Sequence, residues 1–140
     1  MGFTELNRRL SNISQSTIVE WVEDILNELD GEIEDLNREQ LGEGMYATGG
    51  FLRNYSYATT EISPHKTGRI KLYDEGDFWR SIFASSGMGI LEIDATDWKT
   101  DMLKEEFGNE ILGLAPTQFN YIIQKVAEKL KVKFGEYLKQ

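Results

Sequence analysis

Three carboxylates, Asp74, Glu75 and Asp77, flank Gly76. A pair of carboxyl groups can cleave a glycosidic bond when one stays protonated, the other stays ionised, and a cleft holds the sugar between them. Acidic residues beside a glycine also build turns, and the turn is the expectation here. A second set, Asp94, Asp97 and Asp101, could hold a divalent cation. Its spacing lacks the alternating oxygen ligands and closing glutamate of a calcium loop. Asp97 is expected instead near a helix start, where its charge meets the positive end of the dipole. His65 is the single histidine and follows Pro64 in a polar run, so it reads as solvated, with no nucleophile nearby. The glycines between Gly44 and Gly50 lead to no Gly-Lys-Ser/Thr step, and Gly87-Met88-Gly89 has no third glycine before a helix. With no cysteine, a thiolate zinc site, a disulfide and a thiol nucleophile are all excluded. The expectation is a non-enzyme without metal or cofactor.

The elements that must carry these residues come from a chain of 140 residues, the size of one domain. Lys plus Arg number 15 against 24 Asp plus Glu, a formal net charge of −9. That balance opposes broad binding to nucleic-acid phosphates or to an anionic membrane. Residues 1–16 form an N-terminal segment without the apolar run of a signal peptide. No stretch reaches the roughly 18 apolar residues of a membrane span, so the expectation is an aqueous compartment and no membrane partner.

An amphipathic acidic helix is expected over 17–38. Thr17 and Glu20 fit a capping box, and Ile18, Val22, Ile25, Leu26, Leu29, Ile33 and Leu36 recur at helical spacing. Gly31 offers a place for a bend. Residues 42–68, where glycines interleave with Tyr46, Phe51, Tyr55 and Tyr57, read as a loop-rich arm for a partner. A β-region follows over 69–95, with strands at 69–73, about 79–84 and 90–95. In the last strand Leu91, Ile93 and Ala95 face one way, and Glu92 and Asp94 the other. A short helix is expected over 97–107, stopped by Gly108. The last, over 116–138, opens at Pro116 and buries Phe119, Ile122, Ile123, Val126, Leu130 and Phe134. Its lysines oppose the acidic first helix, so the two could pair within a chain or between copies. Trp21, Trp79 and Trp98 could each anchor an interface; Trp79 reads as core, and Trp21 joins the four arm aromatics as a candidate interface residue. The fold class is α+β: a small antiparallel curved sheet packed by a long N-terminal helix and a C-terminal helix, with a long extended loop.

Two segments also resemble a known family. Leu72-Tyr73-Asp74-Glu75-Gly76-Asp77-Phe78-Trp79-Arg80-Ser81-Ile82 is similar to the turn-and-strand signature of tailed-phage tail-completion and minor tail proteins, with Glu75 where that family usually has threonine. Asp97-Trp98-Lys99, and Phe107 through the Gly113-Leu114 step to Pro116, resemble its short helix and terminal-helix start. There Ala115 replaces the usual capping residue. Gly44 to Tyr57 and Lys66 are similar to a variant typical of phages of Bacteroidetes. The likeness spans roughly residues 40–138. It implies a structural virion protein at the head-to-tail joint, forming a ring-like homo-oligomer that contacts other neck and tail proteins. DNA would pass nearby without sequence-specific binding, and the chain would reside in the host cytoplasm during assembly and then in the virion. Two other readings compete: a small tail-associated hydrolase using Asp74, Glu75 or Asp77, and an acidic module mimicking DNA.

Overall fold

The computed structural model describes residues 3–87 and 90–139. Helix α1 covers Phe3–Ser11, where the Glu5 carboxylate pairs with Arg8 and Arg9 one turn later. Helix α2, Gln15–Glu28, starts from Ser14, whose hydroxyl oxygen accepts the Thr17 N–H at 3.1 Å. The start therefore precedes Thr17, and the expected capping box with Glu20 is not used.

The single helix expected over 17–38 is two helices. Leu29 is buried, and its N–H reaches the carbonyls of both Ile25 and Leu26, at 3.1 and 3.0 Å. That tightened turn ends α2, and α3 runs over Asp30–Gly42. The break falls at an apolar core residue, while Gly31 lies within the first turn of α3.

The loop-rich 42–68 segment is tied down in its first half. Met45 and Phe51 form an isolated bridge, Leu52 is buried, and the Ala47 N–H donates to the Glu110 carbonyl at 2.7 Å. Its second half carries a short helix, α4, Tyr57–Ile62, capped by Ser56. Gly44 permits this folding back. It has φ +69°, and a Cβ there would stand 2.7 Å from the Arg69 Cβ and 3.2 Å from the Ile70 carbonyl oxygen. Gly44→Ala is expected to cost about 2–3 kcal/mol in urea unfolding, from the left-handed backbone and the clash together. Gly135→Ala, at an open position of the last helix, should instead gain about 0.5–1 kcal/mol.

The 69–73 strand does not form. Arg69 makes one isolated bridge, with Asn54, and Leu72 and Asp74 adopt φ of +58° and +44°, which removes the extended backbone a ladder needs. Residues 79–81, expected as strand, belong to a one-turn helix, α5, Asp77–Ser81, entered through Gly76. The sheet has two antiparallel strands, β1 Ile82–Gly87 and β2 Ile90–Ala95, in the register Ile82 to Ala95 and Ala84 to Ile93. The hairpin connection at 88–89 lies outside the described residues. Helix α6, Thr100–Phe107, starts three residues later than expected because Asp97 forms the preceding turn, its carboxylate accepting the Lys99 N–H. Helix α7, Pro116–Leu138, has the expected bounds.

Two buried clusters hold these elements together. Ile25, Leu29, Ile33, Ala84 and Ile122 join α2, α3, β1 and α7. Leu41, Phe78, Ile82, Ile111 and Leu112 join the end of α3 to α5, β1 and the 109–112 turn. Trp79 packs partly buried against the second cluster, its indole N–H donating to the Lys71 carbonyl. Helix α3 also binds backbone on two sides. Glu34 accepts the Ala84 N–H at 2.9 Å, while Arg38 donates to the Ile82 and Trp79 carbonyls. One turn on, Asn37 and Gln40 hold the strand-like segment before α7. Asn37 donates to the Ile111 carbonyl at 3.2 Å and accepts the Gly113 N–H at 2.8 Å. Gln40 donates to the Gly113 carbonyl at 3.0 Å and accepts the Ala115 N–H.

Candidate interaction surface

Of the carboxylates that opened the sequence reading, Asp74, Asp77, Asp94 and Asp97 each have a partner of their own. Asp74 pairs with Lys66 at 3.4 Å and Asp77 with Arg80 at 2.6 Å, while Glu75 is exposed in the turn. Asp94 accepts from Lys104 at 2.9 Å and from the Ala95 N–H. The Lys104 bond foremost, then that backbone bond, hold its carboxyl below the ordinary aspartate value. Asp97 binds its own turn, and Asp101 is exposed. Among the described residues no three His, Asp or Glu side chains converge on one point. His65 is exposed in its loop.

The oppositely charged helices pair within the chain. Lys125 of α7 reaches both carboxylate oxygens of Glu32, at 2.8 and 3.0 Å, where the Tyr121 hydroxyl also donates. Lys129 reaches Glu28 at 3.4 Å. The Lys125 bond, and then the Tyr121 bond, lower the Glu32 carboxyl from its ordinary 4.5. Glu32 in turn pushes Lys125 up from 10.5 to about 12. A lowered carboxyl stabilises fully above its ordinary value and loses that contribution as pH falls. A raised ammonium stabilises fully below its ordinary value and loses it as pH rises through about 12. Glu32→Gln is therefore expected to lower the melting temperature by a constant amount between about pH 5 and 10, with the gap closing in acid. Both side chains are about one-third exposed, so salt should shrink that gap. Asp30, beside this pair in sequence, shifts the other way. One of its carboxylate oxygens is buried without a partner, and burial first, then Glu34, push its pKa up.

The five sequence-chosen interface residues fall on different surfaces. Tyr46 packs partly buried on the second cluster. Phe51 is half exposed under the Arg69 guanidinium, 3.7 Å from its ring centroid. Tyr55 is partly buried, and Tyr57 is 81% exposed on α4. Trp21 meets α7 inside the chain, edge-on to Phe134 at 5.3 Å and Tyr137 at 5.9 Å. Sequence reasoning missed Ile62, 84% exposed at the far end of α4; Trp98, weighed as an anchor but not chosen, is 82% exposed before α6. Met102 in the first turn of α6 is also exposed, while Leu103 and Phe107 pack against the second cluster.

Between α4, the 66–74 loop and α6 lies an open cleft of about 310 Å³. Its floor is apolar, made by Ile70, Leu72, Phe78, Leu103 and Phe107. Its remaining lining mixes both charges, Arg53, Lys66 and Lys99 with Asp74 and Glu106, beside Tyr55, Thr59 and Tyr73. Arg53 pairs with Glu106 at 2.9 Å, and Lys66 and Lys99 with Asp74 and Asp97. The arrangement suits an apolar side chain pressed into the floor while charges exchange at the rim. Among the described residues no helix is long and apolar enough to cross a membrane. No protein-family model matches the chain, and no curated protein or solved structure shows significant similarity to it.

Proposed function

We propose that this chain is a non-catalytic structural subunit of a tailed-phage particle, joining neck or tail components through protein contacts in a ring-like assembly. The observation that carries the reading is α4, a short capped helix in the tyrosine- and glycine-rich segment. It presents Tyr57 and Ile62 to solvent at 81% and 84% exposure. Large apolar side chains held outward on a tied-down loop support partner contact, because a single such residue buried at the centre of an interface can dominate its affinity. The resemblance of residues 72–82 and 97–116 to tail-completion proteins supplies the kind of partner, other neck and tail proteins and further copies of the chain. The net charge of −9 suits a wall past which DNA moves without sticking.

The test is a Tyr57→Ser/Ile62→Ser double variant supplied in place of the wild-type chain during particle assembly. Both residues are exposed, so the melting temperature should be unchanged. Electron micrographs should show heads and tails left unjoined. Normal particles from the double variant would overturn the role given to α4. Normal particles with the chain left out altogether would overturn the reading itself.

A further inference from the structure

We infer that residues 69–73 of one copy of this chain add as a third strand to the open margin of β2 in a second copy. The register of the hairpin sets that margin. β1 turns the Ile82 carbonyl and the Ala84 N–H away from β2, to Arg38 and Glu34. Opposed residues that exchange no bond across an antiparallel ladder both turn their backbone groups outward. Ile82, Ala84 and Ser86 oppose Ala95, Ile93 and Leu91, so these three β2 residues present theirs on the far margin. The Ala95 N–H is taken by the Asp94 carboxylate. Leu91 and Ile93 each keep a donor and an acceptor, with no partner on that margin among the described residues.

The 69–73 segment matches this margin position by position. Set antiparallel with Lys71 opposite Glu92, it places Arg69 opposite Asp94 and Tyr73 opposite Ile90, all on the solvent face. Ile70 then meets Ile93 and Leu72 meets Leu91 on the core face, and those are the two β2 residues with open backbone groups. Lys71 and Glu92 are both exposed, with no ion pair among the described residues. Arg69 lies over the Phe51 ring, and Asp94, which holds Lys104, is still 49% exposed. Opposite charges and apolar pairs set directly across from each other stabilise a ladder. A parallel setting would instead put Arg69 against Ile90 and Tyr73 against Asp94.

The segment is also poised to leave its present place. Its alternation favours a strand, yet Leu72 is held at φ +58°, a left-handed backbone that is costly for leucine and that pairing would relieve. Its present ladder is one isolated bridge, Asn54 to Arg69, with the Ile70 N–H on the Arg53 carbonyl. The acceptor must be a second copy. Antiparallel to its own β2, the segment would run parallel to β1, and only residues 74–81 join the two. A parallel crossover takes about a dozen residues or more, and Phe78 within that connection is fixed in the core. Donor and acceptor are different parts of one chain, so the contact passes head to tail from copy to copy, as in a ring. To that extent it rests on the ring-like assembly proposed above, while its test uses the purified chain alone.

Two single-cysteine chains test the pairing, since the protein has no cysteine of its own. Lys71→Cys and Glu92→Cys both alter exposed positions. Refolded together from urea and left in air, they should form a disulfide-linked dimer with one chain of each kind, while either chain alone should give far less. Arg69→Cys mixed with Glu92→Cys, displaced by two residues, should lag behind. Self-association followed by sedimentation should weaken about fivefold in Lys71→Glu or in Glu92→Lys, and recover in the double variant, where the charges have changed places. A mixed pair that links no better than either chain alone would overturn the inference, as would a wild-type chain that stays monomeric after the same refolding. Such a failure leaves the virion reading to its own particle test. Linked chains whose omission leaves particles normal would keep the strand exchange and remove the virion role.

Discussion

Asn37→Leu is expected to destabilise the chain by about 3 kcal/mol, although leucine is apolar, similar in size and placed in a fully buried position. Asn37 is 0% exposed and holds both the Ile111 carbonyl and the Gly113 N–H. Leucine would leave both backbone groups dry and unpartnered, at roughly 1–3 kcal/mol each, offset in part by the better transfer of its side chain. Urea unfolding gives the number. Asn37→Asp separates pairing from packing. A protonated aspartic acid can still donate to the Ile111 carbonyl, whereas an ionised one faces that carbonyl as a buried charge. Its folded pKa is therefore raised, and its stability should be greatest in acid and fall as pH rises through about 4, the unfolded aspartate value. A pH-independent loss in the aspartate variant, or a neutral leucine variant, would show that these bonds do not hold the segment.

Phe78→Ala should cost about 3–5 kcal/mol, the range for removing a buried phenylalanine ring. Phe78 is 1% exposed, among the largest fully buried side chains, and packs with Leu41, Ile82, Ile111 and Leu112. It also forms part of the cleft floor. The alanine variant opens that floor from below, so the loss should be partly recovered by Phe78→Leu, which refills most of the volume. In a chain with a typical total of about 5–15 kcal/mol, the alanine loss would move the melting temperature by tens of degrees at most and by several degrees at least.

Much of the frame is legible in residue order, and the reasons for the remainder are specific. The last helix announces itself through Pro116 and the spacing of Ile122, Val126, Leu130 and Phe134. Phe119 and Ile123, assigned to the same stripe, are half exposed, because the core takes a narrower arc of α7 than the apolar residues cover. In β2, alternation places Leu91 and Ile93 correctly. Alternation is equally clean over Arg69 to Tyr73, yet no strand forms, since Leu72 and Asp74 take left-handed backbone; aspartate tolerates that region, whereas nothing in leucine's type announces it. Phe78 and Trp79 favour strand by type, and the one-turn helix they occupy depends on Gly76 entering it at φ +85°. Asp74 and Glu75 stand in the expected turn, while Asp77 opens α5. The cleft was illegible because it joins Arg53, Lys66 and Lys99 across three separate segments, and no spacing along the chain records that meeting.

The side chains that α3 lays along β1 give the sheet a handed future. With the Ala84 N–H taken by Glu34 and the Ile82 carbonyl by Arg38, that margin already has two of the groups an incoming strand would need occupied, and α3 packs along it. Any lengthening of the sheet, whether in an aggregate or against another chain, is confined to the far margin along β2. A second β2 arriving there antiparallel, centred on Ile93, would set Glu92 of each copy against Asp94 of the other, and directly opposed like charges disfavour such a ladder. A two-stranded sheet, commonly prone to recruit its neighbours, is thereby fenced by a carboxylate and a guanidinium on one side and by its own repulsion on the other.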